Sequence, residues 1–183
     1  MSRALSEAQD RFVAVWGQMG AAWGISRTMA EVHALLYITG AALNTDEVME
    51  RLAISRGNAS MSLRALTDWG VVSRAHKRGD RKEYFVAEQD VWAMFRAIVR
   101  ERMKREVEPM LASLYEIRDA TGVGTARGRS GAGAEDKRAV LEHNQRLDEL
   151  LGFFKTIEKI SNRFVSPSGR GLQIAASVLN RVI

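Results

Sequence analysis

The stretch TDEVMERLAISRGNASMSLRALTDWGVVSRAHKRGDRKEYFVA, Thr45 to Ala87, decides the fold. Thr45 can cap a short helix whose first turn carries Asp46 and Glu47, where carboxylates favour the positive end of the helix dipole. Val48, Met49 and Leu52 give that helix an inward face. Ile54 and Ser55 form the following turn. Ser55 caps a second helix that ends at Trp69, with Gly70 in the left-handed closing position. Val71 and Val72, then Tyr84, Phe85 and Val86, are β-prone. The segment between them, His76 to Lys82, makes a basic tip. A helix, a turn, a second helix and a hairpin in this order read as a winged helix-turn-helix.

Working outward, a first helix is expected from about Ser6 to Trp23, with Phe12, Trp16, Met19 and Trp23 as its apolar stripe. A second starts near Thr28, carries Val32, Leu35, Leu36 and Ile38, and stops at Gly40. Its apolar run makes it the central, buried helix. After Asp90 a long helix shows Val91, Phe95, Ile98, Met103, Val107, Leu111 and Leu114 on one side, and Pro109 predicts a kink or break in it. Asp119 to Ala134 lacks large apolar side chains and reads as a loop or linker. Another helix is expected from Glu135 to Phe164, and a short last one after Ser166, with Pro167 in its first turn. The fold class is therefore mainly α with a small β-hairpin wing. Residues 1–89 form the winged helix-turn-helix domain with its entry helices, and residues 90–183 a helical dimerisation region containing the glycine-rich loop 119–134. The two long stripes exceed what one small winged domain buries, which points to a homodimer.

The chain has 183 residues, 46% of them hydrophobic, a formal charge of +5 and no cysteine. That is enough apolar material for a real core, and the basic excess suits a polyanionic partner. Lack of cysteine excludes disulfides, cysteine zinc sites and thiol chemistry. No apolar run spans a membrane, and the N-terminus lacks the pattern of a secretory signal, so the expected localisation is cytoplasmic without membrane association.

On a helical wheel the second helix of the opening stretch divides. Ala59, Ser62, Leu63, Leu66 and Trp69 gather on a packing side. Gly57, Asn58, Met61, Arg64, Ala65 and Asp68 lie opposite, flanked by Arg56 and Ser60. That outer face is small, polar and partly basic, as a helix entering a major groove requires. Asn58 and Arg64 have the donor geometry for adenine and guanine edges, while Ser55, Ser60 and the helix N-terminal amides suit phosphates. A merely solvated face looks similar, but the flanking elements favour the reading side. The candidate DNA contacts are thus Ser55, Arg56, Gly57, Asn58, Ser60, Met61 and Arg64 on the helix. On the wing they are Lys77, Arg78, Arg81 and Lys82. Arg81 could enter a narrow minor groove, where the potential is most negative. Asp80 would repel phosphate and is expected to brace an arginine.

SRGNASMSLRALTDWGVV (Ser55 to Val72) and KRGDRKEYFVA (Lys77 to Ala87) resemble the MarR superfamily of winged-helix regulators, in particular its GbsR-like branch. The Asp80-Arg81-Lys82 triplet is similar to the acidic-then-basic wing signature of that family, and Phe12 to Tyr37 is similar to GbsR-type entry helices. The likeness covers roughly residues 6–118. It implies a homodimeric transcription factor, with recognition helices in successive major grooves of double-stranded DNA, wings on the flanks and terminal helices forming the dimer. It also brings a quaternary ammonium osmolyte as a candidate effector.

Trp16, Trp23, Tyr37, Trp92 and Phe95 could supply an aromatic cage for such a small molecule, although aromatic stripes at helical spacing more often mark core. The glycine stretch fails as a nucleotide site: Arg127 stands where a dinucleotide fingerprint needs glycine, and no glycine occupies position 123. His33, His76 and His143 show no metal spacing. No serine sits in a nucleophile-elbow motif. The sequence therefore points away from an enzyme, a cofactor and a metal, and leaves a winged-helix protein-interaction module as the competing function.

Overall fold

A computed structural model describes residues 2–121 and 133–165. It divides into two compact units, Met1–Ile98 and Val99–Ile183. The first contains α1 (Arg3–Ala22), α2 (Arg27–Thr39), β1 (Leu43–Asn44), α3 (Thr45–Leu52), α4 (Arg56–Asp68), β2 (Val72–Ala75) and β3 (Tyr84–Ala87). Helix α5 (Val91–Arg102) follows. The strands form an antiparallel sheet in the order β1-β3-β2, with Leu43 opposite Phe85 and Val72 opposite Ala87. This is the expected mainly α fold with its small wing.

The core is built around α2. Met29, Ala30 and every residue from Val32 to Leu36 are buried, and Val48, Ala59, Leu63, Leu66, Val71 and Phe85 close around them. Burying one such aliphatic side chain contributes about 1.5–3 kcal/mol, so this cluster dominates the unit's stability.

The buried face of α1 differs from the expected aromatic stripe. It consists of Gln9, Val13, Gly17 and Gly20, while Phe12, Trp16 and Met19 flank the seam and Trp23 is exposed. The small residues let the helix backbones approach: a Cβ built on Gly20 would lie 2.5 Å from the Cβ of Ala30. Ser2 caps α1, Ser26 caps α2 and Asn44 caps α3, in place of Ser6, Thr28 and Thr45. Asn44 is better placed than Thr45 because β1 pairing holds it extended and buried. Its Oδ1 accepts from the amides of Asp46 and Glu47, and Glu47 accepts from the Asn44 amide at 2.7 Å, a complete capping box. Trp69 and Gly70 end α4 as expected. Gly70 adopts φ +72°, which lets the Val71 amide reach the Leu66 carbonyl and the Gly70 amide that of Thr67.

The expected break near Pro109 takes the form of a π-helical turn, Met103–Val107, between α5 and α6 (Glu108–Ala120). Proline donates no hydrogen bond and its ring crowds the carbonyl four residues back, so the widening lies just before it. On α5 the buried residues are Met94 and Ala97, one position off the expected Val91, Phe95 stripe. In the second unit α6 packs on α7 (Ala134–Val165). Leu111, Leu151 and Phe164 are buried, and Arg118 donates to both carboxylate oxygens of Asp148 at 2.8 and 3.1 Å. Residues 122–132 of the glycine-rich stretch, and the helix expected after Ser166, lie outside the described residues.

The α1–α2 seam yields a prediction. Alanine normally favours a helix interior over glycine by about 1 kcal/mol. At Gly20 the added methyl meets the Ala30 Cβ, which cannot swing aside, and overpacking of this kind costs about 1–3 kcal/mol. Gly20→Ala should therefore lower stability in urea unfolding. Gly17→Ala, whose methyl meets the flexible Glu31 side chain, should cost less.

Candidate nucleic-acid interface

The outer side of α4 follows from its packing side. Ala59, Ser62, Leu63 and Leu66 are buried, so the helix can turn only its opposite face outward. Arg56, Gly57, Asn58, Ser60, Met61 and Arg64 are all exposed. Ala65, placed opposite the packing side on the wheel, is half-buried against the core. Ser55 Oγ accepts from the Asn58 amide at 3.2 Å, so its hydroxyl serves first as a cap. Met61 is 66% exposed, an unusual position for a large apolar side chain. A Cβ on Gly57 would meet no protein atom nearer than Ser55 Oγ at 4.0 Å, so the protein itself does not require glycine there.

Beside an Arg74–Glu83 pair at 3.2 Å in the hairpin, the cations of the wing and α4 fall into two groups. Lys82 Nζ lies 3.1 Å from Asp46 Oδ2, while Arg56 holds Asp46 Oδ1. One carboxylate on α3 thus bridges the first residue of α4 and the wing. The hydrogen bond from Lys82, with the charge of Arg56, pulls the Asp46 carboxyl below its ordinary value. The second group is outward. Among the described residues, none pairs with the side chains of Arg64, Arg78 or Arg81. Lys77 Nζ sits 3.9 Å above the Tyr84 ring, a cation–π contact.

Asp80 accepts from the Tyr84 hydroxyl at 2.6 Å and from the Lys82 amide at 2.9 Å. Its partners are thus a phenol and the wing backbone, where an arginine was expected. Tyr84, four residues on at the start of β3, brings its hydroxyl to the carboxylate, and no arginine makes an ion pair with Asp80 among the described residues. The Tyr84 hydrogen bond holds the Asp80 carboxyl below its usual range.

A cavity of about 470 Å³ lies within the first unit. All four tryptophans of the chain line it, and so do Phe95 and His33. Of the expected cage, Trp16, Trp23, Trp92 and Phe95 are in the wall. Tyr37 is not: it stacks with His33 at 6.2 Å and with Phe12 at 6.4 Å. Trp69 and His33 are the ring-bearing additions, among aliphatic and methionine neighbours. The signal for His33 is its spacing from Met29 and Tyr37 on one face of α2. Among the described residues no group of three metal-ligating side chains occurs, and no helix is long and apolar enough to cross a membrane.

Residues 23–83 match the model of the MarR family. That segment is similar to a MarR-type winged helix-turn-helix. The chain is similar to the HTH-type transcriptional repressor GbsR of Bacillus subtilis (strain 168), 27% identical over 113 residues, 62% of each chain. It is also similar to the putative HTH-type transcriptional regulator YvaV of the same organism, 23% identical over 91 residues, 50% of this chain and 51% of that one. The matches thus span less than two thirds of either relative. A crystal structure of a transcriptional regulator shares the fold with a TM-score of 0.55 and 20% identity, covering 91% of this chain and 99% of that one.

His33 makes the stability of this unit pH-dependent. Burial lowers its pKa from 6.5 to about 4. The folded state therefore resists the proton that the unfolded chain takes up, so stability falls as pH drops from 6.5 toward 4. Between pH 7 and 4.5 this one group should remove about 2 kcal/mol. Urea unfolding of His33→Phe at the two pH values should show a pH-dependent loss smaller by that amount.

Proposed function

We propose that this chain is a sequence-specific transcriptional regulator, acting as a repressor. It binds a pseudo-palindromic operator as a homodimer and leaves it when a small-molecule effector binds. Residues 1–89 carry DNA binding and residues 90–183 dimerisation. The observation that carries the reading is the outward group Arg64, Arg78 and Arg81, exposed on α4 and the wing with no acidic partner among the described residues. Arg64 and Asn58 serve as base readers, Met61 as an apolar contact for a thymine methyl, and Lys77, Arg78 and Arg81 as backbone or minor-groove contacts. Ser55, Arg56, Gly57 and Ser60 surround the phosphate next to the α4 N-terminus, with Lys82 beyond them on the wing.

Dimerisation is supported by the second unit's surface, where Leu141, Phe153 and Ile160 are 70%, 57% and 56% exposed on α7. Phe153 and Ile160, seven residues apart, share one face of that helix, and large apolar side chains exposed together are usually covered by a partner. The names of the similar proteins support the regulatory role. No catalytic role is proposed.

The test is binding of genomic promoter fragments, followed by fluorescence anisotropy across salt concentrations. Arg64→Ala should cost about 1–3 kcal/mol on the selected site and little on random DNA. Arg78→Ala should weaken both alike and reduce the salt slope by about one. Equal binding of selected and random fragments would instead favour a winged-helix protein-interaction module.

A further inference from the structure

The walls of the aromatic cavity come from several elements of the first unit. Trp16 and Met19 lie on α1, His33 on α2 and Phe95 on α5, while Leu66 and Trp69 belong to the end of α4. No Asp, Glu, Lys or Arg lines it. Apart from the tryptophan indoles, the polar side chain in the wall is His33. Its Nε2 is buried and has no hydrogen-bond partner among the described residues. An unsatisfied buried polar atom costs about 1–3 kcal/mol, which a ligand can recover.

We propose that this cavity binds an uncharged, mainly apolar small molecule with one hydrogen-bonding group, which pairs with His33. The size is that of an ordinary small-molecule site, about 300–1,000 Å³. A charged ligand would give up its hydration with no counter-ion in return. The imidazole supplies none, because burial keeps it neutral near pH 7. Aromatic faces can hold a quaternary ammonium, so that class is the direct competitor. Ligand atoms against Leu66 and Trp69 touch the recognition helix itself, so occupancy acts on α4 inside one protomer. The link to regulation rests on the DNA-binding reading; binding and its effect on α4 do not.

Three probes of one shape separate the classes: 4-phenylbutan-1-ol, 4-phenylbutanoate and 4-phenylbutyltrimethylammonium. Because all four tryptophans line the cavity, tryptophan emission reports occupancy. The alcohol should give a saturable change and bind at least tenfold tighter than either ion. In His33→Phe, checked for folding by circular dichroism, it should bind no tighter than butylbenzene does. Hydrogen exchange should show new protection over Leu66–Val72 with the alcohol bound. Tighter binding of the ammonium or the carboxylate would overturn the proposal, as would no saturable response to the alcohol up to its solubility. Protection confined to other segments would overturn the action on α4. None of these readouts uses DNA, so failure here and failure of DNA binding are separate results.

Discussion

The constraint on which the rest depends is the seating of α4 on α2. Leu63 and Leu66 pack into the cluster formed by Val32, Leu35 and Leu36, all nearly free of solvent. A helix whose apolar side is fixed this way has no freedom to rotate about its axis. Turning Arg64 inward would bury an unpaired charge, at a cost of several kcal/mol, and expose Leu63, at about 1.5–3 kcal/mol. The outward display of Arg56, Asn58, Met61 and Arg64 is therefore set by packing on the opposite side.

A second link fixes the wing relative to that helix. Asp46 receives Arg56 and Lys82 together, so α3, the start of α4 and the wing share one carboxylate. Exposed ion pairs add little stability, commonly under about 1 kcal/mol. The value of this one is geometric. It holds Arg56 and Lys82 in fixed positions beside the α4 N-terminus, while Arg64, Arg78 and Arg81 stand without an acidic partner among the described residues. Asp80 plays the same part within the wing by holding Tyr84 and the Lys82 amide. A face rich in cations is thereby divided into those held by a carboxylate and those that are not.

The division of α4 was legible in the sequence because apolar and small polar residues alternate there at helical spacing, and Ser55 and Gly70 mark its ends. The order of elements was legible for the same reason. What could not be read depends on partners distant in sequence. Asn44 caps α3 because it pairs with Tyr84, forty residues on, in a strand of two residues that no local pattern reveals. The α1 seam is made of Gly17 and Gly20, which add nothing to an apolar stripe. The cavity shows both sides of this. Periodicity marked four of its aromatic residues and puts Met29, His33 and Tyr37 on one face of α2, but it cannot tell how far along that face the cavity reaches. Tyr37 was therefore expected in the wall, where His33 stands. Asp46 reads locally as a helix-dipole residue, and its bridge exists only once the wing folds back.

Chemical protection of guanine N7 on a selected operator fragment tests the central claim most directly, that the outer face of α4 enters the major groove. The account predicts two protected patches about 10 base pairs apart, one per recognition helix. Firm binding that leaves every guanine N7 in the site as reactive as in free DNA would contradict it.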